Sequence, residues 1–554
     1  MLRDSSLRSA VTAFGDYAVL LLMSPDWLTT TTKRGFMVIG TVPLPASADG
    51  PRPAISSTNI CRPNSMKTPS PLEDVAPSSG LQRRSFCQTL LAGAGAVLGA
   101  PTLLRGEARA ATQGPNGPHF HEPAHDLSVC DDADVIVCGG GPAGVAAAIA
   151  AARAGARTRL FELHGCLGGV WTAGLLTFIF DFDKPGLTRE ILQKLERRDA
   201  RRGTNRDRFV YEPEEMKLLL EEMCTAAGVK VLLHTCVAAA YREGNRLTTV
   251  VTESKSGRQA WRAPVFIDAT GDGDLGAQAG CQWDTGQRKD CPCQPLTLNA
   301  LAVVRDASKM GDFISFFDGK VNMSQHVKAT QNFLAEIRRA GCDPSYGMPT
   351  LFQARENLLL VMINHEYGIK AFDAAAISDA TLRARTEIFK IVGALSTMGG
   401  VWEGMRLVAS AEQIGVRDGR RIHGRYTVTR EDLVRGARHA DGVARVTFGA
   451  DIHAANREKN RTETIAHGGF ATQPYDIPLR AMIAKDVDGL LMAGRCISGD
   501  FIAHASYRVT GDAVAMGEAA GAVAALAARS KRLPHDVPWE QAAELLRQTT
   551  RKNY

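Results

Sequence analysis

The stretch that decides the fold class is Asp134-Val135-Ile136-Val137-Cys138-Gly139-Gly140-Gly141-Pro142-Ala143-Gly144. Its short apolar run predicts a buried strand, and three glycines follow in the G-x-G-x-x-G spacing. An alanine-rich segment from Val145 to about Ala156 predicts a helix, and a second apolar run, Thr158-Arg159-Leu160-Phe161, ends on Glu162. Strand, glycine turn, helix, strand and acid in this order indicate a β-α-β unit that binds a dinucleotide.

Each glycine of the turn has its own physical role. The first permits the tight turn, the second lets the backbone approach a pyrophosphate, and the third lets helix and strand pack closely. The helix N-terminus offers free N–H groups and a partial positive charge to the phosphates, and the acid accepts hydrogen bonds from the adenosine ribose. The residues predicted to bind at this end are Gly139, Gly141, Pro142, Ala143, Gly144 and Glu162.

Two later segments resemble parts of flavoproteins that have two dinucleotide-binding domains. Gly165-Cys166-Leu167-Gly168-Gly169-Val170-Trp171-Thr172 is similar to the turn beside the pyrophosphate and flavin. Near the C-terminus, a strand and turn over 489–494 precede an acid and a small-residue helix that runs to about Ala528. In such flavoproteins the acid binds the ribityl chain and the helix directs its N-terminus at the flavin. The resemblance adds the expected cofactor residues Gly168, Gly169, Gly494, Asp500, Gly511 and Ala513.

A second glycine pattern lies in Phe266-Ile267-Asp268-Ala269-Thr270-Gly271-Asp272-Gly273-Asp274-Leu275-Gly276. Its spacing alone would suggest a site for a nicotinamide dinucleotide. However, Asp272 and Asp274 would place two negative charges beside a pyrophosphate, and the segment that follows is too short for a crossover helix. The segment instead resembles the strand-Ala-Thr-Gly signature of the flavoproteins. We therefore assign Thr270 and Gly271 to a single FAD and expect no tightly held nicotinamide.

These motifs together resemble a family of FAD-dependent oxidoreductases that includes heterodisulfide-reductase-subunit-A-like flavoproteins and secreted homologues labelled as xanthan-lyase-related. The resemblance covers roughly residues 131–530 and is most specific at Gly139–Gly144, Gly168-Gly169, Arg421 through Asp451, and Tyr475 through Gly521. It implies an α/β fold: a discontinuous, glutathione-reductase-like FAD-binding domain of Rossmann type with an inserted α+β cap. It also implies FAD and an oxidoreductase activity, without a particular substrate.

The expected domain boundaries follow from the positions of these motifs. The FAD-binding domain is predicted over 131–175, 229–290 and 485–530, and the cap or substrate domain over 176–228 and 291–484. Residues 111–130 are predicted as a linker and 531–554 as a C-terminal helix or tail.

Candidate catalytic side chains lie in Phe501-Ile502-Ala503-His504-Ala505-Ser506-Tyr507-Arg508, between the ribityl acid and the helix that faces the flavin. His504 is a candidate acid or base, and Arg508 is a candidate for holding a carboxylate or an oxyanion. His453 and Arg480 are weaker candidates from the cap side. Each of these residues also has an alternative structural role, in which it bonds phosphate oxygens or neighbouring backbone.

The cysteines raise the question of an iron–sulfur cluster. Cys281, Cys291 and Cys293 are grouped loosely, and they could contribute ligands to a 4Fe–4S cluster. No C-x2-C-x2-C spacing or comparable cluster motif accompanies them. Thiols in this arrangement more often stay free or pair elsewhere, so the cluster is a minor alternative.

The first part of the chain is typical of an export signal. Leu81-Gln82-Arg83-Arg84-Ser85-Phe86 is followed by a Gly/Ala/Leu run to Leu104 and by Ala108-Arg109-Ala110. Paired arginines, a weakly apolar segment and a small-x-small cleavage site predict a twin-arginine signal over 66–110, with delivery to the periplasm or outside the cell. Because such a signal begins near an N-terminus, residues 1–65 are interpreted as disordered or as an over-long gene start before Met66.

The composition excludes several classes of partner. A net charge of +6 over 554 residues is mild, which argues against a nucleic-acid partner. We expect no integral membrane span in the mature chain. The expected partners are a small-molecule substrate and an unidentified electron acceptor. Two other functions remain open: an electron-transfer subunit carrying flavin, and, less favoured by 6% aromatic residues, a polysaccharide-active protein.

The interpretation of the first 65 residues is testable by N-terminal sequencing of the expressed protein. We expect no peptide from upstream of Met66. Detection of a peptide from residues 40–60 would show that the early segment is translated.

Overall fold

A computed structural model of the chain describes residues 120–203, 205–287, 293–317, 319 and 321–551, together with three short strands near the N-terminus. The chain divides into two compact units, Met1–Arg105 and Gly106–Tyr554. In the first unit, β1 (Val11–Phe14), β2 (Tyr17–Leu20) and β3 (Val42–Pro43) form an antiparallel sheet. The predicted twin-arginine signal lies outside the described residues.

The second unit contains the remaining elements. Its strands are, in chain order, β4 (Val129–Cys130), β5 (Val135–Cys138), β6 (Thr158–Phe161), β7 (Phe178–Ile179), β8 (Arg201–Arg202), β9 (Phe209–Tyr211), β10 (Lys230–Leu232), β11 (Cys236–Glu243), β12 (Arg246–Ser254), β13 (Gly257–Arg262), β14 (Val265–Asp268), β15 (Trp283–Asp284), β16 (Ala300–Val303), β17 (Thr350–Arg355), β18 (Leu358–Met362), β19 (Arg406–Ser410), β20 (Arg421–Ile422), β21 (Gly442–Val446), β22 (Ile452–His453), β23 (Ile465–Ala466), β24 (Tyr475–Pro478) and β25 (Leu490–Met492). Its helices are α1 (Pro142–Arg153), α2 (Leu187–Arg197), α3 (Pro213–Ala227), α4 (Asp274–Gln278), α5 (Met323–Arg339), α6 (Ala374–Thr397), α7 (Arg430–Arg435), α8 (Arg457–Thr462), α9 (Phe501–Tyr507), α10 (Thr510–Ser530) and α11 (Trp539–Arg551).

The central sheet has the strand order β10-β6-β5-β14-β25, and every pair in it is parallel. All four residues of β5 and of β14 are buried, as expected for strands that are covered on both faces. The predicted β5-α1-β6 unit forms at the centre of this sheet, so the α/β part of the fold prediction is confirmed.

A second, antiparallel sheet lies in the segment between β15 and β20. Its strand order is β17-β18-β16-β19, and α5 and α6 belong to the same segment. This segment has its own apolar core, which includes the fully buried Leu298, Phe333, Val361 and Ile388. In a further sheet, β11-β12-β13-β4, the first three strands follow α3 and β10 in the chain, whereas β4 precedes β5.

Helices α1 and α10 approach each other closely because small residues face each other. A Cβ atom on Gly517 would overlap the carbonyl oxygen of Ala143, and one on Gly521 would overlap that of Ala147. By length and composition α10 could cross a membrane, but 89% of its most apolar window is buried inside the fold. It is therefore packed as a core helix.

The close contact of α1 and α10 predicts a matched pair of substitutions. Gly517→Ala should destabilise the fold by about 1–3 kcal/mol, because the added methyl group overpacks the interface. Gly393→Ala makes the same change on α6, where a Cβ meets nothing within 4 Å, and should stabilise by roughly 0.4–1 kcal/mol. Thermal unfolding of both variants checks this, and equal shifts in Tm would contradict it.

Candidate functional site

One cavity of about 1170 Å³ runs along the carboxyl ends of the five parallel strands. This is the edge at which open α/β sheets bind their ligands. The volume exceeds the roughly 300–1,000 Å³ of ordinary small-molecule pockets, so there is room for a large cofactor and a second molecule. The wall residues that follow directly on the strands are Gly139, Glu162, Thr235, Ala269, Thr270, Ala493 and Gly494.

The glycine turn after β5 has the geometry expected from the sequence. A Cβ atom on Gly139, whose φ is +100°, would overlap the carbonyl oxygen of Ala269, and one on Gly144 would overlap that of Gly139. A Cβ on Gly141 would meet nothing within 4 Å. The first and third glycines are thus required for packing, whereas the second lies beside open space at the N-terminus of α1. Gly141, Pro142 and Ala143 all line the cavity.

The second glycine turn lies against the first. The backbone N–H of Gly168 donates to the carbonyl oxygen of Gly140 at 2.8 Å. A Cβ on Gly169 would lie 3.0 Å from the Cα of Gly141. Gly169 lines the cavity together with Val170, whereas Gly168 supports the turn from behind.

Glu162 is the acid at the end of β6. Its side chain is buried and accepts hydrogen bonds from the N–H groups of Gly140 (2.6 Å) and His164 (2.8 Å). Glu162 also lines the cavity. This is the place expected for the ribose-binding acid.

The start of α10 reaches the cavity through Thr510 and Ala513. Gly511 does not line it; a Cβ there would overlap the carbonyl oxygen of Asp181, so this glycine serves packing rather than the cofactor. The next residue, Asp512, is buried and lies 3.3 Å from Nζ of Lys184. Burial raises the pKa of Asp512 well above its usual range, although Lys184 opposes this.

Two sequence candidates from the segment before α10 are corrected by the structure. Asp500 caps α9, where it accepts hydrogen bonds from the N–H groups of Ala503 and Arg430, both at 2.7 Å, and it does not line the cavity. His504 has no exposed surface and also lies away from the cavity wall, and burial lowers its pKa. The physical reason is that 501–507 form a helix: Asp500 caps its N-terminus, and His504 is one of its buried residues.

Arg480 is the third corrected candidate. Half of its side chain is exposed, and it forms an ion pair with Asp441 at 2.9 Å. It does not line the cavity, so it has no direct contact with a ligand bound there.

Arg495, which the sequence did not single out, lies directly after the strand and turn that end at Gly494. Its guanidinium pairs with Asp272 at 3.2 Å and donates to the carbonyl oxygen of Val416 at 2.6 Å. Burial raises the pKa of Asp272 to about 6, although Arg495 opposes the shift. Both residues line the cavity, beside the predicted Thr270 and Gly271.

Four residues on the cavity wall form a polar cluster: Arg417, Asp451, His453 and Arg508. Nε2 of His453 lies 3.2 Å from Oδ2 of Asp451, and Nη2 of Arg508 lies 3.1 Å from the same oxygen. Gln294 supports the cluster from behind, because its side-chain oxygen accepts from the backbone N–H of His453 at 3.0 Å. Asp451, which contacts both His453 and Arg508, was not selected as a candidate from the sequence. Its position two residues before His453 was the sequence feature that could have indicated it.

The environment controls the protonation of this cluster. Burial and the positive charge of Arg417 lower the pKa of His453 to about 4, although Asp451 opposes this. Burial alone would raise the pKa of Asp451, but His453 and the guanidinium groups hold it below its usual range. At neutral pH the histidine is therefore neutral and the aspartate is ionised.

Next to the polar cluster the wall is apolar. We call this part the apolar chamber; its residues are Phe178, Phe180, Met348, Phe352, Met362 and Phe448. The rings of Phe178 and Phe352 stack at 4.7 Å, and those of Phe180 and Phe448 lie 5.2 Å apart. The cavity thus combines a glycine-lined end, a charged cluster and an aromatic chamber.

The family described as FAD dependent oxidoreductase matches residues 134–548. The chain belongs to this family. No curated protein matches it. It is an FAD-dependent oxidoreductase, in agreement with the resemblance stated above.

Solved structures that are similar to this oxidoreductase include a reductase-like protein, a monooxygenase and a halogenase. A geranylgeranyl bacteriochlorophyll reductase-like protein from Thermoplasma acidophilum is 14% identical, with a TM-score of 0.39 over 77% of this chain and 83% of that one. A p-nitrophenol 4-monooxygenase from Pseudomonas putida DLL-E4 is 13% identical, with a TM-score of 0.33 over 54% and 70%. A myxobacterial chondrochloren halogenase is 12% identical, with a TM-score of 0.37 over 77% and 80%.

The residues present fit FAD. Gly141 lies beside open space at a helix N-terminus, Glu162 lies at the end of β6, and the start of α10 reaches the same cavity. Backbone N–H donors at two helix starts and a carboxylate acceptor are the groups that a dinucleotide with a flavin needs.

The described residues give no support to an iron–sulfur cluster. Among them, no group of three or more His, Cys, Asp or Glu side chains is arranged to hold a metal ion. Cys293 is disulfide-bonded, Cys281 is a buried free thiol, and Cys291 lies outside the described residues.

Gly141 allows a direct test of the FAD cradle. Gly141→Val should leave the fold intact, because its φ of −69° is accessible to any residue and its Cβ meets nothing within 4 Å. The side chain would fill the space for the pyrophosphate and raise the Kd for FAD by about 10- to 100-fold. Visible absorbance per protein measures bound FAD, and Gly393→Val, away from the cavity, serves as control. Full FAD content in Gly141→Val would show that the pyrophosphate binds elsewhere.

Proposed function

We propose that this oxidoreductase oxidises a small organic substrate by hydride transfer to bound FAD, beside the polar cluster. The observation that carries the proposal is the pair formed by His453 and Asp451, whose Nε2 and Oδ2 atoms lie 3.2 Å apart on the wall of the cavity that holds the glycine cradle. A histidine oriented by a carboxylate is a general base that accepts a proton when a substrate loses hydride.

The protonation states support this role. Ionised Asp451 only accepts hydrogen bonds, so Nε2 of His453 must carry the proton and Nδ1 must keep its lone pair. Among the described residues, Nδ1 is buried and has no hydrogen-bond partner, so it is the nitrogen of His453 left to take up a proton. In the proposed step the substrate C–H bond breaks with its electron pair, and the substrate O–H or N–H proton passes to Nδ1. Bound FAD would be the two-electron acceptor of the hydride.

Other residues stabilise charge without taking part in bond changes. The N-terminus of α10, at Thr510 and Ala513, contributes a partial positive charge to the cavity. Lys184, paired with Asp181 at 2.9 Å and near Asp512, ties the start of α10 to the segment after β7. This buried network supports the position of α10.

Three finer expectations are part of the same proposal. The parallel sheet is assigned to a glutathione-reductase-like FAD-binding domain, and the segment with the antiparallel sheet to a substrate cap. Export through the twin-arginine route is consistent with FAD binding, because that route carries folded proteins with their cofactor inserted. The electron acceptor is a separate partner that reoxidises the flavin.

Anaerobic bleaching of the bound flavin by a panel of sugars, hydroxy acids and amines tests the function. At least one member should reduce the wild-type flavin, and His453→Gln should slow that reduction by about 10²- to 10⁴-fold. Reduction by a protein partner but by no panel member would contradict the proposal and favour the electron-transfer alternative.

The matched control is His423→Gln. His423 also pairs with an aspartate, Asp284, at 3.0 Å, but it lies off the cavity and should leave the reduction rate unchanged. If both variants lost the same activity, the role assigned to His453 would be wrong.

The pKa of His453 also predicts the pH profile of flavin reduction. Since the base acts in its neutral form and its pKa is lowered to about 4, the rate constant should be flat near neutral pH. It should decrease only as the pH falls towards about 4, where the ring takes up a proton. Stopped-flow reduction between pH 4 and 8 measures this, and a loss of rate centred near the ordinary histidine pKa of about 6.5 would contradict it.

A further inference from the structure

The polar cluster carries more positive than negative charge. Arg417 forms no ion pair within the described part of the chain; its guanidinium donates to the carbonyl oxygen of Pro295 at 2.9 Å and to the hydroxyl of Thr297 at 2.7 Å. Arg508 shares its one carboxylate partner, Asp451, with His453. Two guanidinium groups therefore face a single aspartate on the cavity wall.

The neighbouring carboxylates are committed elsewhere. Asp418 pairs with Arg421 at 3.0 Å and also accepts from the backbone N–H of Gly286 at 3.3 Å. Asp272 pairs with Arg495. A buried cation without its own counter-ion is costly, and an anionic ligand would remove that cost. Guanidinium groups bind carboxylates especially well, because their N–H groups match the two oxygen atoms.

The cluster also indicates where the reacting carbon lies. Nη2 of Arg508 and Nε2 of His453 contact the same Oδ2 of Asp451, at 3.1 and 3.2 Å. The residue that would bind a carboxylate and the residue that would take the proton are therefore immediate neighbours. A substrate that contacts both residues fits best when its reacting group lies next to its carboxylate.

The apolar chamber indicates the rest of the ligand. Its aromatic rings, including the stacked Phe178 and Phe352, continue the same cavity wall. Arg208, His326 and Thr350 also line the cavity, but the rings and methionine side chains of the chamber itself present apolar surface, against which an apolar side chain buries its own surface favourably.

We propose that the substrate is a 2-hydroxy carboxylate with a large apolar side chain, held by Arg417 and Arg508. This rests on the proposed function and names its substrate class. C2 gives its hydride to FAD, the hydroxyl proton passes to His453, and the product is the corresponding 2-oxo carboxylate. The carboxylate remains bound to the guanidinium groups throughout.

Binding is tested on the FAD-loaded enzyme with phenylacetate, which has the carboxylate and the apolar body but no hydroxyl group to oxidise. Titration calorimetry and perturbation of the flavin spectrum both report the Kd. Phenylacetate should bind at least about 10-fold more tightly than the neutral phenylacetamide, and more tightly than acetate. Equal affinity for phenylacetate and phenylacetamide in the wild-type enzyme would overturn the proposal, whatever the variants do.

Variants of the two arginines then test which residues bind the carboxylate. Arg508→Gln and Arg417→Gln should each weaken phenylacetate binding by about 10- to 100-fold and remove the preference over the amide, with Arg508→Lys restoring part of it. Arg480→Gln, a surface arginine off the cavity, should change neither. A shift in the flavin midpoint potential with unchanged phenylacetate affinity would show that the guanidinium groups serve the flavin instead, and would overturn the assignment.

The two proposals fail in different ways. Bleaching of the flavin by 3-phenyllactate supports both. Phenylacetate binding without bleaching by any panel member would contradict hydride transfer but leave the carboxylate site standing. Bleaching by a neutral sugar or amine, with no preference for phenylacetate over its amide, would retain hydride transfer and overturn the carboxylate substrate.

Discussion

The close packing of glycine backbone against neighbouring backbone at the carboxyl end of β5 is the constraint on which the rest of the structure depends. Gly144 packs against the carbonyl of Gly139, and Gly139 packs against Ala269 at the end of β14. These contacts leave no room for a Cβ atom. They allow α1 to pack closely against the sheet, with its N-terminus at the cavity. Gly517 and Gly521 then allow α10 to lie directly against α1. Both helix starts consequently reach one ligand space.

A second constraint acts at the polar cluster of the cavity wall. Arg417, Asp451, His453 and Arg508 lie in surroundings that penalise charge, as the lowered pKa values of His453 and of Arg417, the latter to about 10, show. Burial is the first cause in both cases, and the like charge of Arg508 adds to it at Arg417. A buried cluster of this kind is stabilised when each charge has a partner of opposite sign. Because the cluster has two guanidinium groups and one carboxylate, an anionic ligand would stabilise it.

Much of the cofactor site was predictable because the signals are local. The spacing of Gly139, Gly141 and Gly144 and the position of Glu162 follow from the geometry of one β-α-β unit, and the structure places them as expected. Asp500 and His504 lie off the cavity wall because 501–507 form a helix rather than a segment along the ligand space. A local signal did exist: an aspartate three residues before a buried alanine N–H is a helix N-cap. Arg508, one residue beyond that helix, does line the cavity.

The sequence by itself determined the β-α-β unit with its glycine turn and the oxidoreductase family, since glycine spacing and strand periodicity act over about 30 residues. Only the tertiary structure decided which polar side chains share a site. Arg417, Asp451 and Arg508 come from separate segments, and no local pattern encodes their meeting on one wall beside Phe178 and Phe352. Their juxtaposition depends on contacts between residues that are distant in the chain, such as the 3.1 Å pair of Arg508 with Asp451.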